Sequence, residues 1–460
     1  YVLLHLIGWL GLDDLKQFRQ LHSKTPGHPE VEIPGVECTT GPLGQGFGMG
    51  TGMAFAETFL RHVLEEKSED AKGLVNHYTY VLASDGDMQE PITLGASSLA
   101  GHLGLSHLIV FYDSNEIQIS GGVSRCDSTN YATVFEGFGW HVQEIDGHNH
   151  ESIRAAIEKA QIMDKPSIII GKTIMAKGSA GMERDHNTHG APLPDDEIYA
   201  TKDALGLALE SFYLPDEVKH HFRSRFDSLY KIVSDWDTQL SECRKDSDVD
   251  SFWSIAVEDQ LPVFTYPEFE ESTSLATRKA FGFALDHYAQ LLPNLVGGSA
   301  DLEPSNYTGN FANIYSDFQK NNKSGRNIAF GVREFPMAAM MNAKPVSSMQ
   351  AMRKTVVDGS NTSGFQRTTL VATNGVIDTN LGTVGIDVIC LEEDSARKLE
   401  TESTSDGEIV FYTLDRLGVP LVEIATAPDI QTPEHAKEVA LMLGTLLRDT
   451  RRVRRGLGSI

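Results

Sequence analysis

Cysteine is scarce and scattered in this chain. The four present, Cys38, Cys126, Cys243 and Cys390, include no C-x-x-C pair. That excludes a zinc ribbon or a disulfide framework and fits a reducing, cytoplasmic setting. Basic residues are outnumbered: 39 Lys and Arg against 64 Asp and Glu leave a formal net charge of −25. So acidic a chain is no general nucleic-acid binder, and small molecules or proteins are its expected partners. Long apolar runs are missing as well, so no membrane span is expected. The apolar start, YVLLHLIGWLGLDD, lacks a basic flank and a small-residue cleavage site, and reads as a helix rather than a signal peptide. Beginning at Tyr1 without a methionine, it reads as the interior of a domain. Internal repeats, low-complexity tracts and a dinucleotide fingerprint are absent. A length of 460 residues leaves room for about two to four domains.

What is present is a succession of short apolar runs between helical patterns. YTYVLA at 78–83, LIVFYD at 108–113 and PSIIIGKT at 166–173 read as buried strands. ITLGASSLAGHLG and SIRAAIEKAQ read as helices between them. Strands alternating with helices predict a parallel sheet covered on both faces. Residues 214–262 are charged and helical, and read as a surface helix and linker. A second α/β pattern follows near Tyr266: helix ATRKAFGFALDHYAQLL, strand NLVGGSAD, strand RNIAFGV and helix REFPMAAMMN. After Ala343 the pattern becomes β-rich and antiparallel, and Asn374-Gly375 reads as a hairpin turn.

Asp85, in Ser84-Asp85-Gly86-Asp87, follows the first predicted strand. Asn115, in Asp113-Ser114-Asn115-Glu116-Ile117, follows the second. Ligands of open parallel sheets bind beyond the carboxyl ends of strands. A carboxylate and an amide oxygen there suit a hard divalent cation that also holds a diphosphate, with Gly86 letting the backbone approach phosphate. Asp-Gly alone is as readily a plain turn; the pairing with D-x-N carries the information. Thr39-Thr40-Gly41-Pro42-Leu43-Gly44-Gln45-Gly46, ahead of a Gly- and Ala-rich helix, reads by itself as a tight turn before close helix packing.

Together, GHPEVEIPGVECTTGPLGQG, SDGDMQE, FYDSNEI and GVREFPMAAMMN resemble the transketolase family over about residues 1–342. The resemblance implies an α/β diphosphate-binding domain at 1–213, a helical linker at 214–262 and a partial pyrimidine-binding domain at 263–342. It implies thiamine diphosphate as cofactor, with Mg²⁺ or Ca²⁺ held by Asp85, Asn115 and the Ile117 carbonyl. Gly86 and His186 would face the diphosphate, with His189 the weaker match of that histidine pair. Gly41 and Leu43 would line the ring region, and His28 would face the reacting centre. Arg278 and Ser305 would hold a sugar phosphate, and Glu90 would belong to a carboxylate relay between protomers. Glu334 would be the catalytic carboxylate that tunes the aminopyrimidine for acid/base work. By its position alone Glu334 is equally a helix N-terminal carboxylate. The implied reaction moves a two-carbon ketol unit from a ketose phosphate to an aldose phosphate. A homodimer is implied, Glu334 and Asp85 of one chain serving different sites. The sequence departs from the family at Gly95, where many members carry glutamate, and at Pro91, where glycine is common.

AKPVSSMQAMRKTVVDGSNTSGFQRT, ICLEEDSARK, LDRLGVPLVEIATAPDI and RRVRRGLGSI resemble the cradle-bearing component of archaeal glutamyl-tRNA(Gln) amidotransferase over residues 343–460, and its bacterial counterpart less closely. That resemblance implies an ATP- and Mg²⁺-dependent cradle acting on tRNA-linked glutamate with a glutaminase partner. Glu392, Glu393 and Glu423 match its metal carboxylates. Leu391-Glu392-Glu393-Asp394 also reads as a solvated charged turn. Arg451, Arg452, Arg454 and Arg455 would contact phosphate, or form a solvated helix end. The change at Asn342/Ala343 comes without a Gly/Pro/Ser linker. Three expectations follow: an incomplete transketolase-type enzyme, an amidotransferase fragment, or a fusion of two truncated genes with no joint function.

Overall fold

The computed structural model describes residues 1–341, apart from 32, 266 and 270–274, and residues 369–449, apart from 395, 405–406 and 416–418. The chain forms two units, Tyr1–Ser347 and Ser348–Ile460. The junction at Asn342/Ala343 and the arginines 451–455 lie outside the described residues. No described helix is long and apolar enough to cross a membrane.

The first unit opens with two short helices, α1 (Val2–Leu6) and α2 (Leu12–Lys16), then the long α3 (Gln45–Lys67). The N-terminal run expected as one helix is broken at Gly8, whose φ is +91°. A parallel sheet follows, built from β1 (Thr79–Ser84), α4 (Asp85–Gln89), α5 (Pro91–Leu103), β2 (Leu108–Ser114), the small hairpin β3 (Ile117–Gln118) and β4 (Gly121–Gly122), α6 (Tyr131–Gly137), β5 (His141–Asp146), α7 (His150–Gln161) and β6 (Ser167–Lys172). Strand order is β1-β2-β6-β5, all parallel, with Thr79 opposite Leu108 and Ile109 opposite Ser167. β-Branched and aromatic residues suit the pleated, two-sided burial. The α3/α5 layer covers one face, packing Phe47, Phe55, Leu99 and Leu103 against Val110 and Ile168. On the other face α7 packs Ala156 and Ala160 on Ile109 and Ile169. Coverage is less complete than expected: Tyr80 and Leu82 on β1 are 51% and 84% exposed.

Beyond α8 (Asp195–Ala204), α9 (Asp216–Arg223), α10 (Phe226–Cys243) and α11 (Ser247–Ala256) occupy the stretch expected as a surface linker. α9 and the first half of α10 are exposed as expected, but the end of α10 and α11 are part of the core. Cys243, Val249, Phe252 and Trp253 join the α3 cluster, and the Trp236 indole N–H donates to the Leu74 carbonyl at 2.8 Å. A second layer follows, with α12 (Thr277–Leu291), β7 (Gly297–Ser299), α13 (Glu303–Asn306), α14 (Gly309–Tyr315), β8 (Asn327–Ala329) and α15 (Glu334–Met341). β7 and β8 form a two-stranded parallel pair.

Two glycines seat α15. A Cβ at Gly48 of α3 would lie 2.5 Å from Ala339 Cβ, and one at Gly95 of α5 would lie 2.5 Å from Pro336 Cγ. Neither distance admits a side chain, so α15 interlocks with α3 and α5 only because both positions are bare. Lys323 forms a second tie. Its ammonium donates to the Leu103 carbonyl and, at 3.0 Å, to the Gly104 carbonyl, covering the open end of α5. Burial pushes Lys323 down to about 8, with Arg61 and Lys320 adding to the effect. Beneath it, buried Glu57 accepts from Arg61 at 2.8 Å and meets His107 Nδ1 at 2.9 Å. Burial alone would raise the Glu57 carboxyl, but bonding to His107 and Arg61 outweighs it and holds the group below its ordinary value.

The second unit is antiparallel: β9 (Thr369–Thr379), β10 (Gly382–Glu393) and β13 (Pro420–Thr426) in the order β13-β10-β9, and a separate pair β11 (Arg397–Thr404) and β12 (Gly407–Thr413), with α16 (Pro433–Asp449) following. The hairpin expected at Asn374-Gly375 falls elsewhere. β9 runs through those residues, and the chain turns at Asn380-Leu381, with Thr379 opposite Gly382. Gly375 faces Ile386, whose Cβ would lie 3.1 Å from an added Cβ. The glycine therefore serves close strand packing, not a turn.

Gly95→Glu is expected to destabilise the protein by about 1–3 kcal/mol through overpacking. Adding Pro336→Gly should recover much of that loss in a denaturant double-mutant cycle. Lys323 gives a pH signature. Between about pH 8 and its ordinary 10.5 the unfolded chain holds this proton and the folded chain does not, so folding gains stability as pH rises. Below pH 8 both states are protonated and the cost of burying the cation is constant. Unfolding free energy measured against Lys323→Met should therefore move in favour of the unsubstituted protein from about pH 8 to 10.5.

Candidate active site

β1 runs directly into α4, and the turn between them is tied by one carboxylate. Ser84 N–H donates to Asp87 Oδ2 at 2.8 Å, and Asp87 N–H donates to Ser84 Oγ at 3.3 Å, a reciprocal capping box. Asp87 Oδ1 accepts the Gly44 N–H at 2.8 Å. The turn before α3 is thus fastened to the turn after β1. Along this seam a Cβ on Gly86 would lie 2.9 Å from Leu43 Cδ1, and one on Gly41 would lie 3.0 Å from His28 Nδ1. Four residues singled out from sequence, His28, Gly41, Leu43 and Gly86, are brought together here.

Asp85 is 3% exposed. Tyr112 O–H donates to Asp85 Oδ1 at 2.6 Å and Glu116 N–H donates to Oδ2 at 2.9 Å. Burial pushes the carboxyl above its ordinary value; hydrogen bonds from Tyr112 and the 115–116 backbone only partly offset it, and the neighbouring Asp113 adds to the rise. Among the described residues no Lys or Arg forms an ion pair with Asp85. Asn115 Oδ1 accepts the Ile117 N–H at 3.0 Å, opening the β3–β4 hairpin. His186 Nδ1 lies 3.1 Å from the Ile119 carbonyl on the same hairpin. His189, three residues on, is exposed. A carboxylate, an amide oxygen and a carbonyl oxygen on adjacent strand ends form a hard donor set. A buried carboxylate whose charged neighbour is another carboxylate calls for a cation. These residues therefore fit a divalent ion.

Glu90, between α4 and Pro91 of α5, borders this seam: a Cβ on Gly44 would lie 2.9 Å from Glu90 Cβ. Arg278, in the first turn of α12, and Ser305, in α13, are exposed, in helices that pack together where Gly282 meets Tyr307. Glu334 opens α15, exposed and without a hydrogen bond or ion pair among the described residues. A cavity of about 780 Å³ at the ends of β7 and β8 is lined by Ser98, His102, Ser299, Asp301 and Arg333 among others, and by none of these candidates. In the second unit Glu423 pairs with Cys390 in the β10–β13 ladder, and Glu392 and Glu393 pair with Leu421 and Pro420. The side chains of Glu392 and Glu393 lie outside the described residues. Among the described residues no three His, Cys, Asp or Glu side chains are grouped for a metal.

Sequence reading missed Tyr112 and Asp87. Tyr112 is hidden in an apolar strand run, where an aromatic reads as core. Asp87 carried a usable signal, since Ser84 and Asp87 are spaced as a capping box.

The parallel-sheet domain belongs to the class of thiamine-diphosphate-binding α/β domains. Residues 1–261 match the transketolase thiamine diphosphate binding domain, and residues 273–369 the transketolase pyrimidine binding domain. The chain belongs to the transketolase family. Residues 330–460 match the GatB/GatE catalytic domain. Transketolase of Bacillus subtilis is 43% identical over 352 residues, and that of Halalkalibacterium halodurans 41% over 350, each match covering 74% of this chain and 52% of the relative. The chain thus spans about half the length of the curated relatives it matches. Among solved structures, transketolase from Leishmania mexicana superposes with a TM-score of 0.70 at 37% identity, covering 74% of this chain and 52% of that one. Transketolase from Campylobacter jejuni gives 0.66 at 40%, covering 74% and 51%.

Proposed function

We propose that the first unit binds thiamine diphosphate with Mg²⁺ or Ca²⁺ and takes part in transketolase-type transfer of a two-carbon ketol unit from a ketose phosphate to an aldose phosphate. The observation that carries this reading is buried Asp85, bonded to the 115–117 loop and flanked by the seam of His28, Gly41, Leu43 and Gly86. In the proposed assignment Asp85, Asn115 and the Ile117 carbonyl hold the ion. Gly86 and His186 face the diphosphate, Gly41 and Leu43 border the ring region, and His28 faces the reacting centre. When bound, thiamine diphosphate supplies the nucleophilic carbon for ketol transfer. Glu334 exchanges a proton with the aminopyrimidine ring, Arg278 and Ser305 hold the sugar phosphate, and Glu90 belongs to a carboxylate relay. Because Glu334 is exposed at the start of α15, without a hydrogen bond or ion pair among the described residues, the reading includes a homodimer in which each chain's Glu334 serves its neighbour's cofactor. A solved relative supports the substrate class: transketolase from Pichia stipitis forms a complex with sedoheptulose-7-phosphate.

A second reading rests on the match of residues 330–460 to the GatB/GatE catalytic domain. It assigns the second unit to an ATP- and Mg²⁺-dependent amidotransferase cradle, with Glu392, Glu393 and Glu423 at its metal and with tRNA and a glutaminase as partners. ATP hydrolysis dependent on charged tRNA tests it, and its absence removes that reading.

Thermal-shift titration with thiamine diphosphate, with and without Mg²⁺, tests the first. Cofactor at about 100 times its Kd stabilises a folded protein by roughly 2.7 kcal/mol. A metal-dependent rise in Tm is expected, and Asp85→Ala should abolish it; an unchanged shift in that variant overturns the assignment. Glu334→Gln should keep cofactor affinity but lower ketol transfer by about 10²–10⁴, measured as kcat.

A further inference from the structure

The turn that carries Gly41 and Leu43 ends in Gly44, and the turn that carries Gly86 follows β1. Gly44 sits at φ +78° ahead of α3, where an added Cβ would lie 2.5 Å from Ile92 Cγ2 and 2.9 Å from Glu90 Cβ. Without a side chain, Gly44 can be bonded only through its backbone. Its N–H is taken by Asp87 Oδ1 at 2.8 Å, across 43 positions of sequence. Asp87 Oδ2 accepts both the Ser84 N–H at 2.8 Å and the Ser84 O–H at 2.7 Å. One oxygen of the carboxylate therefore belongs to each turn. Among the described residues, the bond to Gly44 is the only hydrogen bond between residues 39–44 and residues 84–90. On the seam it closes, Leu43 is 50% exposed, an apolar side chain held within reach of Gly86.

We propose that Asp87 is a positioning residue whose carboxylate sets the spacing between the Leu43 turn and the Gly86 turn, matching the site to a ligand with an apolar ring at one end and a diphosphate at the other. The inference rests on the cofactor-binding reading above, and in it Asp87 touches no part of the ligand. Losing the bond to Gly44 frees the ring-side turn. Asp85 stays tied by Tyr112 and Glu116, so the diphosphate end keeps its place on the sheet. A ligand that reaches both turns then loses more affinity than one that reaches only the diphosphate end. A hydrogen bond to a charged group is worth about 10–100-fold in an equilibrium constant, which bounds the effect.

The experiment is a calorimetric titration of the full chain, in saturating Mg²⁺, with thiamine diphosphate and separately with inorganic pyrophosphate, on the unsubstituted protein, Asp87→Ala and Ser84→Ala. Asp87→Ala is expected to weaken thiamine diphosphate roughly tenfold more than pyrophosphate. Ser84→Ala removes the hydroxyl from the capping box but leaves the Gly44 bond, and should hold the ratio of the two affinities. Hydrogen exchange without ligand reads the bond itself. Asp87→Ala should speed exchange over residues 43–47 by about tenfold and leave β2 and β6 unchanged, and Ser84→Ala should not. Asp87→Ser, too short to reach Gly44, serves both measurements where Asp87→Ala does not fold. Equal losses for the two ligands, no loss, or unchanged exchange over 43–47 overturns the positioning role while leaving the cofactor reading intact. Failure of the unsubstituted protein to bind thiamine diphosphate removes both.

Discussion

A carboxylate taken out of water at the end of a strand, with no Lys or Arg ion pair among the described residues, is the constraint on which the first unit's site depends. Asp85 is 3% exposed and both its oxygens accept hydrogen bonds. Neutral donors ease the desolvation of a carboxylate but do not balance its charge, and burial accordingly raises its pKa. The surrounding sequence serves this one placement. Ser84 and Asp87 stop β1 and start α4 at a fixed point, and Asp87 also holds Gly44, so that the turn before α3 cannot drift from the turn after β1. The 115–117 loop is bonded to Asp85 through Glu116, and His186 touches the hairpin that loop begins. Elements far apart in sequence converge because each makes a hydrogen bond the buried turn requires.

The parallel sheet was the legible part. YVLA, LIVFY and SIIIG are β-branched or aromatic runs bounded by polar turns, and all three became strands near their expected limits. β5 escaped because HVQEID alternates at a sheet edge, with no continuous apolar run to mark it. Within 214–262, residues 236–253 misled through composition. Their charges hide Trp236, Cys243, Val249, Phe252 and Trp253, and only a helical projection places those on the side that meets α3. Asn374-Gly375 misled through local chemistry. The dipeptide favours a hairpin, but a glycine opposite Ile386 is also what tight strand packing needs, and the tertiary context decided.

Within the site, legibility followed the type of residue. Asp85 and Asn115 were readable as polar residues just past two strand ends, and the Glu116 N–H bond to Asp85 brings those ends together. Tyr112 was not, since nothing in a one-dimensional pattern tells a core aromatic from one whose hydroxyl serves a carboxylate. Gly95 was noted only as a departure from the family. The structure gives it a physical reason: Pro336 fills the space that a side chain at Gly95 would need. Substitution at either position has to be read against the other.

That interlock bears on Glu334. Its helix is seated by Pro336 and Ala339 against α5 and α3, and Glu334 stands at the exposed first turn. A helix N-terminus stabilises the charged form of a carboxylate, and water around it does the same. A group that must pass a proton at neutral pH needs the opposite influence, an environment that makes the charged form less favourable. Among the described residues Glu334 has no hydrogen bond or ion pair. On the proposed reading the cofactor and sheet ends of a second copy cover the N-terminus of α15. The seating of α15 by Pro336 and Ala339 thus fixes where Glu334 is presented.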